Sequence, residues 1–359
     1  MRKDLSFWKN KKVFITGHTG FKGAWLSIFL KKLEVNLYGY SLKEEKNSLF
    51  NKARVTKLYD ISEIGNIKDF NKLKKTLNKT DPEIIFHLAA QPLVVESYRD
   101  PKNTFETNIM GTVNLLEISR SLKKLKVIVI VTTDKVYKIL KSNPEYNEKD
   151  NLGASDPYAT SKACVEFVTE SYHKSFYINK KNLNVVTVRA GNVIGGGDYS
   201  ANRIVPDYLR SYNNKKKLKI RNPNSVRPWQ HVLEPLYGYI LLAQNIYNKK
   251  INTKKFESWN FGPPLKSFIT VKKLMEKFQN LNYLKNKVLI KFAKENKKLI
   301  ETNVLKINSK KSFKKLKWRP IFTIDETISE IINWNRKAQN KKNYLDTCYK
   351  QIENFLQKI

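Results

Sequence analysis

Five β-branched residues in succession, Val127-Ile-Val-Ile-Val131, limit what this chain can fold into. A run so short and so uniformly apolar reads as a strand buried on both faces, the kind found in parallel sheets. It stops at Thr132-Thr133-Asp134-Lys135, four groups able to donate, accept or carry a proton. Further on, Pro157-Tyr158-Ala-Thr-Ser-Lys162 opens a stretch of helical periodicity that runs on to Phe176. Tyr158 and Lys162 stand four apart, so on a helix they share one face.

That spacing has a chemical use. A free tyrosine has a pKa of ~10 and is almost wholly neutral at pH 7. An ammonium one helical turn away favours the phenolate. Bringing the phenol near neutrality takes about 4 kcal/mol, at ~1.36 per pKa unit, which a desolvated neighbouring charge plus a cofactor cation can supply. The product would be a general base for a sugar or alcohol hydroxyl. A Tyr and a Lys so spaced also occur on ordinary solvated helix faces, and it is the rest of the chain that sets this pair apart.

Near the start, Lys11-Lys-Val-Phe-Ile-Thr16 reads as a strand and Ala24 to Leu33 as a helix. Between them stands Gly17-His-Thr-Gly20-Phe-Lys-Gly23. Strand, glycine turn and helix form the context a dinucleotide fingerprint requires, although the spacing is Gly-x-x-Gly-x-x-Gly. Glycines let backbone amides approach a pyrophosphate, and the helix N-terminus favours its charge. A second strand is expected over Val35–Tyr40. Ser41-Leu42-Lys43 follows it, where an NAD-preferring fold usually has an acid, so this position leaves NAD and NADP both open. A third strand is expected to end near Asp60-Ile61, a helix to cover Asp69–Leu77, and a fourth strand to cover Glu83–Ala90. His87 within it reads as a packed strand residue rather than a catalyst. A long helix from Thr104 to Leu122 carries Asn108, and Leu183–Ala190 is a sixth strand.

With these motifs together, the chain resembles the extended short-chain dehydrogenase/reductase family and, within it, the nucleotide-sugar dehydratases. The closer match rests on Thr16-Gly-His-Thr-Gly-Phe-Lys-Gly23, Gly39-Tyr-Ser-Leu42, His87 to Val95, Thr132-Thr-Asp-Lys-Val-Tyr137 and Arg227-Pro-Trp-Gln-His-Val-Leu233. It covers nearly the whole chain and thins after about residue 290. The Asp134-Lys135 pair is that of the CDP-glucose type, where the deoxythymidine-diphosphate type has Asp-Glu. Thr132-Thr133 departs mildly from the Ser-Ser common in the CDP-glucose type.

The resemblance implies an α/β fold, a Rossmann-type doubly wound parallel sheet with a smaller α/β C-terminal substrate domain. Residues 1–190 would bind NAD, and 191–359 would bind substrate, interleaved with the first part near 230–262. NAD would lie against Gly17, Thr19, Gly20, Phe21, Gly23, Ser41, Asp60, Ile61, Leu88, Ala89, Ala90, Asn108, Thr132, Tyr158 and Lys162. CDP-glucose or another nucleotide-hexose would meet Gln91, Asn192, Arg203, Arg227 and His231. The two arginines suit a diphosphate on chemical grounds as well, because a guanidinium fork binds it bidentately.

The implied reaction is loss of water with transient hydride storage. Tyr158, helped by Thr133 and Lys162, would take the proton from the hydroxyl on sugar carbon 4. Lys135 would remove the proton on carbon 5, and Asp134 would protonate the departing hydroxyl of carbon 6. The helices of Asn108 and Tyr158 would pair two subunits into a homodimer, or a dimer of dimers.

Composition narrows the alternatives. Cys164 and Cys348 are too few and too far apart for a disulfide or metal framework, and the four histidines show no ligand spacing. No metal is expected. No apolar run is long enough to span a membrane and no leader pattern stands at Met1, so a cytoplasmic protein is expected. The formal net charge of +36 raises nucleic-acid binding. Its lysines are scattered over polar surface segments and no aromatic-basic module accompanies them, so no nucleic-acid partner is expected.

Overall fold

Valine and isoleucine side chains alternate to opposite faces of the strand at the middle of the molecule. Val127, Val129 and Val131 enter one hydrophobic core with Trp25, Phe29, Leu236 and Trp259. Ile128 and Ile130 enter another with Phe14, Leu115, Val165 and Val185. A strand filled from both faces leaves no side for water, which is why its sequence shows no polar alternation.

The computed structural model describes residues 5–140, 142, 145–180, 183–251, 253–280, 287–292, 305–341 and 343–359. The central sheet has seven strands. They are β1 (Lys12–Thr16), β2 (Asn36–Ser41), β3 (Ile61–Ile64), β4 (Ile84–His87), β5 (Val127–Val131), β6 (Asn184–Ala190) and β7 (Ser258–Phe261). Their order is β7-β6-β5-β4-β1-β2-β3, and every neighbouring pair is parallel. The order reverses between β1 and β4, so a crevice opens over the carboxyl ends of those strands, where such sheets place ligands.

Helices cover both faces. α1 (Phe21–Lys32) is buried from Gly23 to Leu30 and lies with α4 (Leu233–Tyr247) in the first core. α2 (Gly111–Ser119) and α3 (Pro157–Tyr172) pack in the second. Beyond residue 190 a further core gathers Val205, Tyr208, Trp229, Leu274, Phe278 and Ile331. Among the described residues no helix is long and apolar enough to cross a membrane.

Two expectations need correction, and the chain's last helices complete the first core. Asp60-Ile61 stands at the start of β3 rather than its end, because the Asp60 N–H already joins the sheet by donating to the Leu37 carbonyl. The helix before α2 begins at Pro101 and contains a π turn over Glu106–Met110. The helix after Phe322, Ile324–Lys341, is followed by another, Tyr344–Gln357, whose Cys348, Ile352 and Phe355 complete the first core.

Candidate active site

The crevice begins where β1 turns into α1. Gly17 has φ +72°, and a Cβ there would stand 2.6 Å from the Ala89 nitrogen at the end of β4. A Cβ on Gly23 would stand 2.2 Å from the Gly17 carbonyl oxygen. Only hydrogen fits at either position, so the first turn of α1 closes onto the strand ends. Gly20 begins α1 without a side-chain cap, which leaves the first N–H groups for a ligand. The Thr19 hydroxyl donates to the Leu42 carbonyl at 3.0 Å and meets Ser41 Oγ at 2.7 Å, linking the turn to the end of β2. A cradle of backbone amides that any Cβ would fill suits a dinucleotide pyrophosphate. Phe21 is half-buried beside it, as are Leu88, Ala89, Ala90 and Ile61, while Asp60 is exposed.

His87 is a packed strand residue. Its Nδ1 lies 2.7 Å from Thr16 Oγ1 and its Nε2 3.1 Å from Thr112 Oγ1. Burial, with the Lys162 ammonium second, pushes its pKa down to about 3, so the ring is neutral.

Across the crevice, β5 ends in the reactive turn. Thr133 Oγ1 donates to Asp134 Oδ1 at 3.1 Å and acts on the Tyr158 phenol, favouring its ionised form. Asp134 is 2% exposed, and its Oδ2 has no hydrogen-bond partner. That oxygen sits over Gly191, where a Cβ would come within 3.0 Å of it. Burial raises the Asp134 pKa to about 6, against the pull of Lys135, Thr133, Arg227 and Lys22. Its carboxyl therefore changes charge near neutrality, the property a proton donor needs. Lys135 is half-buried on the same turn.

Tyr158 and Lys162 share one face of α3, whose first turn is capped by Asp156 accepting from the Ala159 N–H at 2.9 Å. The phenol is not lowered toward neutrality in this state. Burial raises it to about 12, with Thr133 pulling the other way. Lys162 is turned to the end of β5 instead, donating to the Val131 carbonyl at 3.0 Å. Burial and the nearby Lys22 ammonium lower its pKa to about 8. Asn108 lies in the π turn. It accepts from the Gln91 N–H at 2.8 Å and donates to Ser161 Oγ, beside Lys162, at 2.8 Å.

Not every expected residue points into the crevice. Thr132 Oγ1 turns away from it and donates to Glu166 Oε1 at 2.6 Å. The Gln91 side chain is engaged by its own loop, donating to the Leu93 carbonyl and Thr104 and accepting from the Leu93 N–H. Asn192 is half-buried, with its carbonyl accepting from the Gln230 N–H at 3.1 Å. His231 is set apart from the reactive group. It is fully buried between the Trp25 and Phe322 rings, because the Arg227–Leu233 block enters the core as it approaches α4. Arg203 does face the group: its charge acts on Tyr158 and Lys22 while it pairs with Asp198 at 3.1 Å. Arg227 is buried and its charge acts on Asp134.

Two residues here escaped the sequence reading. Lys22, inside the glycine motif, stands close enough to Arg203, Asp134 and Lys162 to feel all three charges, and burial lowers its pKa to about 8. A lysine between two glycines of a phosphate turn was the signal. Tyr239 of α4 brings a fully buried hydroxyl without a hydrogen-bond partner into the field of Tyr158 and Asp134. Nothing in an apolar helix marked it. Among the described residues no group of His, Cys, Asp or Glu could hold a metal ion.

The model of the GDP-mannose 4,6 dehydratase family matches residues 14–331. A CDP-glucose 4,6-dehydratase of Salmonella typhimurium is 40% identical over 358 residues, 98% of this chain and 98% of its own. A dTDP-D-glucose 4,6-dehydratase of Dictyostelium discoideum is 33% identical over 261 residues, 66% of this chain and 58% of its own. Among solved structures, a dTDP-glucose 4,6-dehydratase from Bacillus anthracis in complex with NAD has a similar fold. Its TM-score is 0.75 at 21% identity, over 94% of this chain and 99% of that one.

Proposed function

The chain belongs to the GDP-mannose 4,6-dehydratase family, and we propose that within it this protein is an NAD-dependent CDP-glucose 4,6-dehydratase. It converts CDP-glucose to CDP-4-keto-6-deoxyglucose and water. The observation that carries the mechanism is a buried Asp134 with one unpartnered oxygen and a pKa near 6, next to Lys135 and within the field of Tyr158. Bound NAD supplies the transient store for one hydride.

The rest is proton handling by the chain. Tyr158 takes the proton of the carbon 4 hydroxyl, and Thr133 hydrogen-bonds the same oxygen. Lys135 removes the carbon 5 proton, made acidic by the neighbouring ketone. Asp134, whose burial raises its pKa to about 6 and so keeps a protonated fraction near neutrality, gives its proton to the hydroxyl leaving carbon 6. Gly17 and Gly23 open the backbone to the cofactor diphosphate, with Ser41 and Thr19 at its ribose and Asn108 steadying the helix of Lys162. Arg203 and Arg227 bring charge to the sugar-nucleotide diphosphate. Residues 1–190 serve mainly the cofactor and 191–359 mainly the substrate, with β7 and α4 crossing back into the first part. Met110, Phe167, Phe176 and Ile178 are large apolar side chains left exposed on and beside α2 and α3, which supports a homodimer across those helices. The site is cytoplasmic in this reading.

The test is incubation with CDP-glucose and detection of a 4-keto sugar by its alkali-induced absorbance. Product from another nucleotide-glucose and none from CDP-glucose would overturn the substrate. A Lys135→Met variant should lose about 10²–10⁴ in kcat; full activity would remove Lys135 from the base role.

A further inference from the structure

The face of α3 that carries Tyr158 and Lys162 continues one turn further to Glu166, which the mechanism above leaves without a part. We propose that the buried Glu166–Arg189 ion pair is a positioning clamp that holds the Thr132–Tyr137 segment in register with the helix bearing Tyr158 and Lys162. The proposal rests on the dehydratase reading, because that reading needs the two segments to act on one hexose.

Glu166 is 2% exposed and Arg189 3%. The carboxylate takes hydrogen bonds from three elements besides its own. Thr132 Oγ1 donates to Oε1 at 2.6 Å from the end of β5. Arg189 Nε and Nη2, on β6, donate to the two oxygens at 2.9 and 3.0 Å. Thr187 of β6 and Ser258 of β7 donate to Oε2 at 2.5 and 3.0 Å. The guanidinium then reaches forward: Nη1 donates to Tyr137 Oη at 2.9 Å, with the cation 4.9 Å from the Tyr137 ring centre. Tyr137 in turn donates to Asn260 Oδ1 at 2.7 Å. The reactive turn is therefore gripped at both ends, at Thr132 just before Thr133 and Asp134, and at Tyr137 just after Lys135 and Val136. Both grips run to one carboxylate on the Tyr158 helix.

Stability does not account for such a group. Burying an ion pair sacrifices the hydration of both ions, and apolar replacements of similar volume are often no less stable. What the pair adds is geometry: a planar fork and five donors admit one arrangement. Burial alone would raise the Glu166 pKa, but Arg189 and the Thr132 and Thr187 hydroxyls overcome it and hold it below the usual value. The carboxylate is thus charged throughout the working range and acts on Lys162, raising a pKa that burial and Lys22 lower. The groups facing Lys162 are Lys22 from α1, neutral His87 from β4 and Glu166; those facing Arg189 are Glu166, Tyr137 and Glu148.

The test uses the full chain with Glu166→Gln. With folding checked by circular dichroism, kcat should fall about a hundredfold, the effect of misplacing reacting groups by about 1 Å, with KM little changed. Lys162, followed by NMR in unliganded protein carrying labelled lysine, should titrate at lower pH than in wild type, because the carboxylate that raises its pKa is gone. Wild-type kcat would overturn the clamp. So would a fall in kcat with the Lys162 titration unmoved, since that is general loosening. If E166Q does not fold, the double variant Glu166→Gln/Arg189→Met removes both charges. It should unfold no earlier than wild type and still lose about a hundredfold in kcat; wild-type kcat there would equally overturn the proposal. Should wild-type protein dehydrate no nucleotide-hexose, the functional reading fails, while the Lys162 titration still decides whether Glu166 acts on that site.

Discussion

The two walls of the crevice are made of different material. The turn from β1 to α1 is built from backbone: Gly17 and Gly23 matter for what they lack, and a Cβ at either would collide with main chain. The turn after β5 is built from side chains held by other side chains, with Thr132 on Glu166, Tyr137 on Arg189 and Thr133 on Asp134. A backbone wall can only bind and orient. A side-chain wall can move protons, but each group in it must be desolvated and pinned separately.

Substitutions break the comparison in different places. Tyr158→Phe should lower kcat by about 10²–10⁴, the usual worth of a positioned acid or base, and leave the melting temperature near that of wild type. A matching loss of fold would mean that the phenol is structural. Asp134→Asn should stabilise the protein while removing activity. The folded pKa of Asp134 is raised from the usual 3.8 to about 6. Above pH 6 the wild type therefore carries a buried charge it would shed if it could, and the variant should be more stable by about 2–3 kcal/mol. That gap should close as pH falls from about 6 toward the usual carboxylate value. Melting curves of both proteins across this range check it, and a constant gap would show that the cause is not ionisation.

The backbone wall predicts the opposite sign. Gly23→Ala should cost about 1–3 kcal/mol through overpacking and abolish NAD binding, read by calorimetric titration. Unchanged affinity would mean that the cradle is wider than it looks. The smallest expected effect is Asp156→Ala, which removes the cap of α3 and should cost about 1 kcal/mol with kcat nearly intact.

The same contrast explains what could be read from the sequence. The glycine turn was legible because its meaning is local: three glycines between a strand and a helix. β5 and the Tyr158–Lys162 pair were legible for the same reason, and five of the seven sheet strands, β1, β2, β4, β5 and β6, follow from short apolar runs. The clamp was not, since Glu166, Arg189 and Ser258 are unremarkable in their own neighbourhoods and meet only when β6 and β7 lie side by side. His231 was expected at the substrate from the family block, whereas in the fold it lies buried between the Trp25 and Phe322 rings, because the chain there passes under α1. The lowering of the Tyr158 pKa was expected from a lysine one turn away together with a cofactor cation, whereas in the chain by itself burial acts on the phenol and the Val131 carbonyl holds the lysine.

Alternation along β5 carries one more consequence. Because successive residues point to opposite sides, Thr132 is handed to the Glu166 carboxylate while Thr133 is left to bond Asp134. Deleting a single residue from Val127–Val131 would invert every side chain downstream and exchange the errands of the two threonines. The length of this segment is therefore as much a part of the active site as any atom that touches the sugar, and engineered grafts of the turn must keep the count odd or even as they found it.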